Sequence, residues 1–149
     1  MATILVLDGP NLNLQGSREP EYYGEQSLDL IHHRLSELAQ QQGVNIQFFQ
    51  SNHEGAMIDR IHQAIGNVDY MIVNAGAWTH YSLALYDALK AAGIPFIEVH
   101  LSNIYARETF RHHSLLSPIA AGGIFGMGAY GYELAFQAAC RFLNRNIER

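Results

Sequence analysis

The sequence predicts an α/β protein on a five-stranded parallel sheet, and three observations carry that expectation. Short apolar runs alternate with segments of helical periodicity throughout the 149 residues. Polar clusters follow the first, third and fourth of those runs, where an open α/β sheet keeps its ligands. No repeat, low-complexity tract or linker divides the chain, so residues 1–149 read as a single domain. Alternating β and α segments put helices on both faces of a parallel sheet. Five strands suit the doubly wound, flavodoxin-like order 2-1-3-4-5.

Each element has its own justification. Residues 3–7 form an apolar first strand. A long polar loop, residues 9–24, reads GPNLNLQGSREPEYYG. Ser27 then caps a helix whose buried stripe is Leu28, Ile31, Leu35 and Leu38. After Gly43, alternating Val44, Ile46 and Phe48 mark the second strand. A helix from Glu54 buries Met57, Ile58, Ile61 and Ile65. The third strand is 70–73, the third helix 81–92 and the fourth strand 95–99, running out through His100. An irregular stretch leads to a short fifth strand, 123–125, and a closing helix, 130–144.

Composition narrows the function. A formal charge of -5 with no compensating basic patch argues against a nucleic-acid partner. No apolar run approaches a membrane span, and the N-terminal residues read as a strand rather than a leader. The single cysteine, Cys140, sits in an alanine-rich helix and is expected in the core; with no disulfide framework the cytoplasm is the default. Lys90, the only lysine, lies away from the loop clusters, which disfavours Schiff-base chemistry. No G-x-S-x-G elbow or cysteine pair is present, and the histidines show no convincing metal-ligand spacing.

Three clusters can carry chemistry. In the 9–24 loop, Arg18 and Tyr23 stand five residues apart. A phenol ionises near pH ~10, but a guanidinium about 4 Å away contributes roughly 4 kcal/mol at an effective dielectric of about 20. The pair could make a base, although turn-forming residues and surface Tyr and Arg are ordinary in loops. In the fourth strand Glu98 and His100 point to one side, because side-chain direction repeats every two residues. A carboxylate beside an imidazole orients it as a general acid; the bland counterpart is a buried pair serving structure alone. Leu101 and Ser102 follow, where exposed N–H groups can receive an anion, and Arg107 and Arg111 share a face if that piece is helical. In NAGAWTH, residues 74–80, Asn74, Thr79 and His80 offer hydrogen bonds, or Thr79 simply caps the next helix. Adjacent His112 and His113 point apart and suit solvated or capping roles.

Together these segments resemble the type II 3-dehydroquinate dehydratases across essentially the whole chain. The resemblance lies in GPNLNL at Gly9, GSREPEYYG at Gly16 and QSNHEG at Gln50. It continues in VNAGAWTH at Val73, IEVHLSN at Ile97 and ARETFRHHSLLSPIA at Ala106. Departures are modest: Asp8 stands where Asn or His is common, Gln15 where Leu is common, and Tyr86 and Thr109 replace frequent Arg and Glu. The resemblance implies anti elimination of water from 3-dehydroquinate through an enolate, a step of aromatic biosynthesis and of quinate breakdown, without metal or cofactor. It makes Tyr23 the base, Arg18 its activator, Asn11 the enolate stabiliser through a water, and His100, oriented by Glu98, the acid. Asn74, His80, Asp87, the Leu101 and Ser102 backbone and Arg111 would hold the substrate. It also implies a dodecamer of four trimers, with Asp87 reaching toward a neighbour's site. The apolar Tyr81, Leu83, Leu85 and Tyr86 of the third helix exceed one buried stripe, which suits assembly or a helix buried all round.

Two other readings share the fold. A flavin- or nucleotide-binding module would use GMGAYG, residues 126–131, which matches G-x-G-x-x-G. The following strand and acidic residue that such a fingerprint needs are missing, so close packing of the last helix explains these glycines better. A phosphorylatable receiver would need an acidic pair after strand one, an Asp after strand three and a Lys after strand five. The chain offers Asp8, Asn74 and no such lysine.

Overall fold

A computed structural model describes residues 1–17 and 26–147. Among them, five strands and four α-helices alternate: β1 Thr3–Asp8, α1 Leu28–Gln42, β2 Asn45–Gln50, α2 Glu54–Ala64, β3 Tyr70–Asn74, α3 Leu83–Ala92, β4 Phe96–His100, β5 Gly122–Phe125 and α4 Tyr130–Ile147. All neighbouring strands run parallel in the order β2-β1-β3-β4-β5, as the sequence predicts.

Period-two alternation divides the core into two layers. Ile4, Val6, Tyr70, Ile72, Ile97 and Val99 pack under α1 and α4, where Cys140 is also buried. Leu5, Leu7, Met71, Val73 and Phe96 pack under α2 and α3. The β1, β3 and β4 strands are buried on both faces, which explains their continuous apolar runs. Helix ends follow local chemistry. Ser27 Oγ accepts from Leu30 N at 3.2 Å, and Gly43, at φ 69°, closes α1 in the left-handed conformation.

The start of α3 and the end of α2 differ from expectation. Residues 76–80 form a 3₁₀ turn, and α3 starts after Ser82 rather than at Tyr81. Ser82, not Thr79, is the cap: its Oγ accepts from Leu85 N at 3.0 Å and donates to Glu54 at 2.7 Å, tying α3 to α2. Leu85 is core, so only Tyr81 and Leu83 are fully exposed among the apolar residues credited to that helix, with Tyr86 half-buried. Ile65 lies beyond the end of α2 and is exposed, because the helix stops at Ala64.

The exits of β1 and β3 meet backbone to backbone. Gly9 N donates to Asn74 O at 2.8 Å, and a Cβ on Gly9 would fall 2.4 Å from Ala75 O. Only glycine fits there, so Gly9→Ala is expected to cost about 1–3 kcal/mol or more, as overpacking does. At Gly55, exposed in α2, an added Cβ meets nothing within 4 Å. Gly55→Ala should stabilise by up to about 1 kcal/mol. Denaturant midpoints compare the two; an unchanged midpoint for Gly9→Ala would refute the interlock.

Candidate active site

Beyond the carboxyl ends of β1, β3 and β4, a cavity of about 250 Å³ opens. Asn11, Asn74, His80, His100, Leu101, Ser102 and Arg111 all line it, so seven of the residues singled out from the sequence converge there. Glu98 lies directly behind His100. Asp87 does not line the cavity; it is exposed on α3. Arg18 and Tyr23 lie outside the described residues.

The Glu98–His100 pair has the geometry that strand alternation predicts. His100 Nε2 donates to Glu98 Oε2 at 2.6 Å, both side chains buried. The bond takes up Nε2 and leaves Nδ1 as the ring nitrogen available for proton exchange. Sequence reasoning missed what holds the carboxylate. Ser114 Oγ donates to Glu98 Oε2 at 2.8 Å, and Ser117 Oγ donates to Oε1. The N–H groups of Leu116 and Ser117 point at Ser114 Oγ and aim its proton toward Glu98. Burial by itself would raise the Glu98 carboxyl. Hydrogen bonding and charge from His100, then the two serines, outweigh it and hold the group below its ordinary value. Glu98 is therefore an ionised orienting group at neutral pH. The S-x-x-S spacing of 114 and 117 was a visible signal, but it means nothing until the fold brings it to β4.

His80 stands beside this pair, its ring stacked on His100 with centroids 6.3 Å apart. Its Nδ1 lies 2.9 Å from the carbonyl of His113, which can only accept, so Nδ1 carries the proton. Desolvation lowers its pKa below 6.5; the His113 bond opposes this, while His100 and Arg111 reinforce it. A neutral ring with Nδ1 protonated presents Nε2 as an acceptor, suited to a substrate hydroxyl.

Two guanidiniums also line the cavity. Arg107 and Arg111 both reach the cavity, although each belongs to a separate 3₁₀ turn rather than one helix face. Arg107 Nη1 donates to Ser102 Oγ at 3.3 Å, while His112 Nε2 donates to the Arg107 carbonyl at 3.0 Å. Arg111 Nε donates to the exposed Glu108 at 2.7 Å. His112 thus braces Arg107, while His113 contributes its backbone carbonyl to His80. Asn11 adds a strained donor. At φ 69° it is the one non-glycine residue with positive φ among those described, and its side chain makes no capping bond. Its own N–H is held by Asn52 Oδ1 at 2.8 Å, an anchor the sequence did not reveal.

The glycine-rich 126–131 turn is not a second site. Gly126 N donates to His100 O at 3.2 Å and Gly128 N to Leu101 O at 3.0 Å. Gly131 packs with its Cβ position 3.5 Å from Ile124 and 3.6 Å from Val99, the close helix–sheet approach expected. Among the described residues, no three His, Cys, Asp or Glu side chains gather as a metal site would require.

Comparisons with known proteins show the family. The family model Dehydroquinase class II matches residues 2–140. A 3-dehydroquinate dehydratase of Polynucleobacter asymbioticus is 59% identical over 145 residues, covering 97% of each chain. One from Prochlorococcus marinus is 55% identical over 146 residues, covering 97% of this chain and 99% of its own. The crystal structure of a type II dehydroquinase from Butyrivibrio crossotus superposes with a TM-score of 0.90 at 42% identity, over 92% of this chain and 96% of that one.

The protonation state of His80 can be measured directly. Its ring should titrate below 6.5 in an NMR pH series. Because the unfolded chain takes up that proton more readily, this group draws stability down as pH falls below about 6.5. A midpoint at or above the ordinary value would contradict the acceptor role.

Proposed function

The chain belongs to the class II dehydroquinase family, and from that premise we propose that the cavity described above dehydrates 3-dehydroquinate to 3-dehydroshikimate. The enzyme is a hydro-lyase acting by anti elimination. The observation that carries the reading is the Glu98–His100 pair, with His100 facing a cavity that Arg107 and Arg111 also line. The substrate is a carboxylate with several hydroxyls, and this lining complements both.

In the proposed mechanism Tyr23, as phenolate held by Arg18, removes a proton from the carbon beside the ketone. Electrons move into an enolate, which Asn11 stabilises through a bound water where charge develops. The enolate collapses and expels the hydroxyl, which takes a proton from His100 and leaves as water. A proton then returns from the Tyr23 phenol to His100 through solvent, completing the cycle. Asn74 and His80 address substrate hydroxyls; the Leu101 and Ser102 backbone and Arg111 hold the carboxylate. No metal or cofactor enters the scheme. Asp87, exposed on α3, completes a neighbour's site in a dodecamer of four trimers, and the exposed Tyr81 and Leu83 on that flank suit burial between subunits. A single domain working in the cytoplasm belongs to the same reading.

Adding 3-dehydroquinate to purified protein should produce the enone absorbance of 3-dehydroshikimate; a flat trace would overturn the assignment. His100→Ala is expected to lower turnover by about 10² to 10⁴-fold, the usual worth of acid–base help. Tyr23→Phe and Arg18→Ala should each lose most turnover with folding intact. Near-normal rates in Tyr23→Phe would remove Tyr23 as the base. Light scattering should give a mass near twelve chains, and a fully active monomer at micromolar concentration would exclude the assembly.

A further inference from the structure

A buried hydrogen-bond chain enters the cavity from the side opposite to Glu98. Asp8 ends β1 and is completely buried. Its Oδ2 accepts from His32 Nε2 at 2.8 Å, and its Oδ1 accepts from the Tyr132 hydroxyl at 2.6 Å. Tyr132, on α4 and also fully buried, receives Asn74 Nδ2 at 2.8 Å. Asn74 ends β3 opposite Asp8 in the sheet register, and its Oδ1 accepts from Gly76 N at 3.3 Å.

The chain has a fixed direction. A carboxylate only accepts, so both the imidazole N–H and the phenol O–H must point at Asp8. The phenol has one proton and has given it to Asp8; toward Asn74 it can only accept. Asn74 must then turn its amide nitrogen to Tyr132 and its oxygen to Gly76. Burial, reinforced by the charge on Asp8, pushes the Tyr132 phenol well above its ordinary pKa, so the proton stays in place.

We propose that Asp8 and Tyr132 are positioning residues that lock the Asn74 side-chain amide in one orientation, presenting its second N–H to a substrate hydroxyl. The proposal rests on the cavity being the dehydratase site. Neither residue touches the reacting atoms. With the Gly76 N–H, their role is to oppose a flip of Asn74 that would exchange its donor and its acceptor.

The test separates binding from chemistry. Tyr132→Phe keeps the ring and removes the acceptor. It is expected to raise KM for 3-dehydroquinate roughly 3- to 10-fold, the range for one positioned hydrogen bond, with kcat within about twofold. Asp8→Leu should do the same, and Asp8→Asn, whose carbonyl oxygen still accepts the phenol proton, should restore KM. If a lone buried polar group keeps either single variant from folding, Asp8→Leu with Tyr132→Phe removes both partners at once and should show the same KM rise. An unchanged KM in the folded variants, or a fall in kcat alone, would overturn the proposal. An inactive wild-type chain would instead defeat the functional reading. In that event the Asn74 side-chain amide resonances still test the lock: they should shift and broaden in Tyr132→Phe, and identical resonances would overturn it.

Discussion

Two carboxylates buried at the ends of parallel strands govern this structure. Asp8 and Glu98 are almost wholly inaccessible, and an uncompensated ion in such a place costs several kcal/mol. Each must therefore be surrounded by donors, and local backbone cannot supply enough of them. Asp8 takes its donors from α1 and α4, through His32 and Tyr132. Glu98 takes its donors from His100 two residues on and from Ser114 and Ser117 in the segment that leads into β5. The two lie on opposite faces of the sheet, Asp8 in line with Ile4 and Val6, Glu98 in line with Phe96. Satisfying them pins elements distant in sequence to the same end of the sheet, and that end becomes the floor of the cavity.

The walls are built differently. Residues 101–121 contain no regular helix longer than a single 3₁₀ turn, so polar ties hold that segment in shape. His112 holds the Arg107 carbonyl, Arg107 holds Ser102, and His80 holds the His113 carbonyl. Glu108, exposed between the two guanidiniums, pairs closely with Arg111 and lies 3.9 Å from Arg107. Such an exposed pair is worth little in stability. It can therefore yield to a carboxylate ligand at small cost, whereas the floor beneath cannot rearrange without exposing a buried charge.

This contrast explains which parts of the molecule were legible in the sequence. Strand alternation put Glu98 beside His100, and the cap Ser27 fixed the start of α1, because these depend on spacing within one element. The strand order and the convergence of Asn11, Asn74 and His100 followed from the βα alternation together with the flavodoxin-like order that five strands suit. Tyr132 could not be read as part of the site. It lies 58 residues from Asn74 and 124 from Asp8, and along α4 it looks like one more apolar residue. Ser114 and Ser117 were hidden for the same reason, since their meaning comes from a carboxylate on another strand. Thr79 does not cap α3, because Ser82, three residues later, supplies the hydroxyl that accepts from Leu85 N. The proposed base, Tyr23, and Arg18 lie outside the described residues, so their roles stand on the family resemblance.

The glycine-rich turn after β5 shows how a motif can be right in sequence and different in purpose. In a dinucleotide site, such a turn frees backbone N–H groups for a pyrophosphate at a helix N-terminus. Here the N–H groups of Gly126 and Gly128 are taken up by the carbonyls of His100 and Leu101, while both glycines adopt positive φ to make that reach possible. The turn therefore grips the exit of β4 from one side as Ser114 and Ser117 grip Glu98 from the other. With the carbonyls of His100 and Leu101 held outward, the peptide planes at that exit are fixed. A fixed peptide plane is what an anion needs from a backbone donor at Leu101 and Ser102. In the proposed site the glycines thereby support the Leu101 and Ser102 N–H groups at one remove.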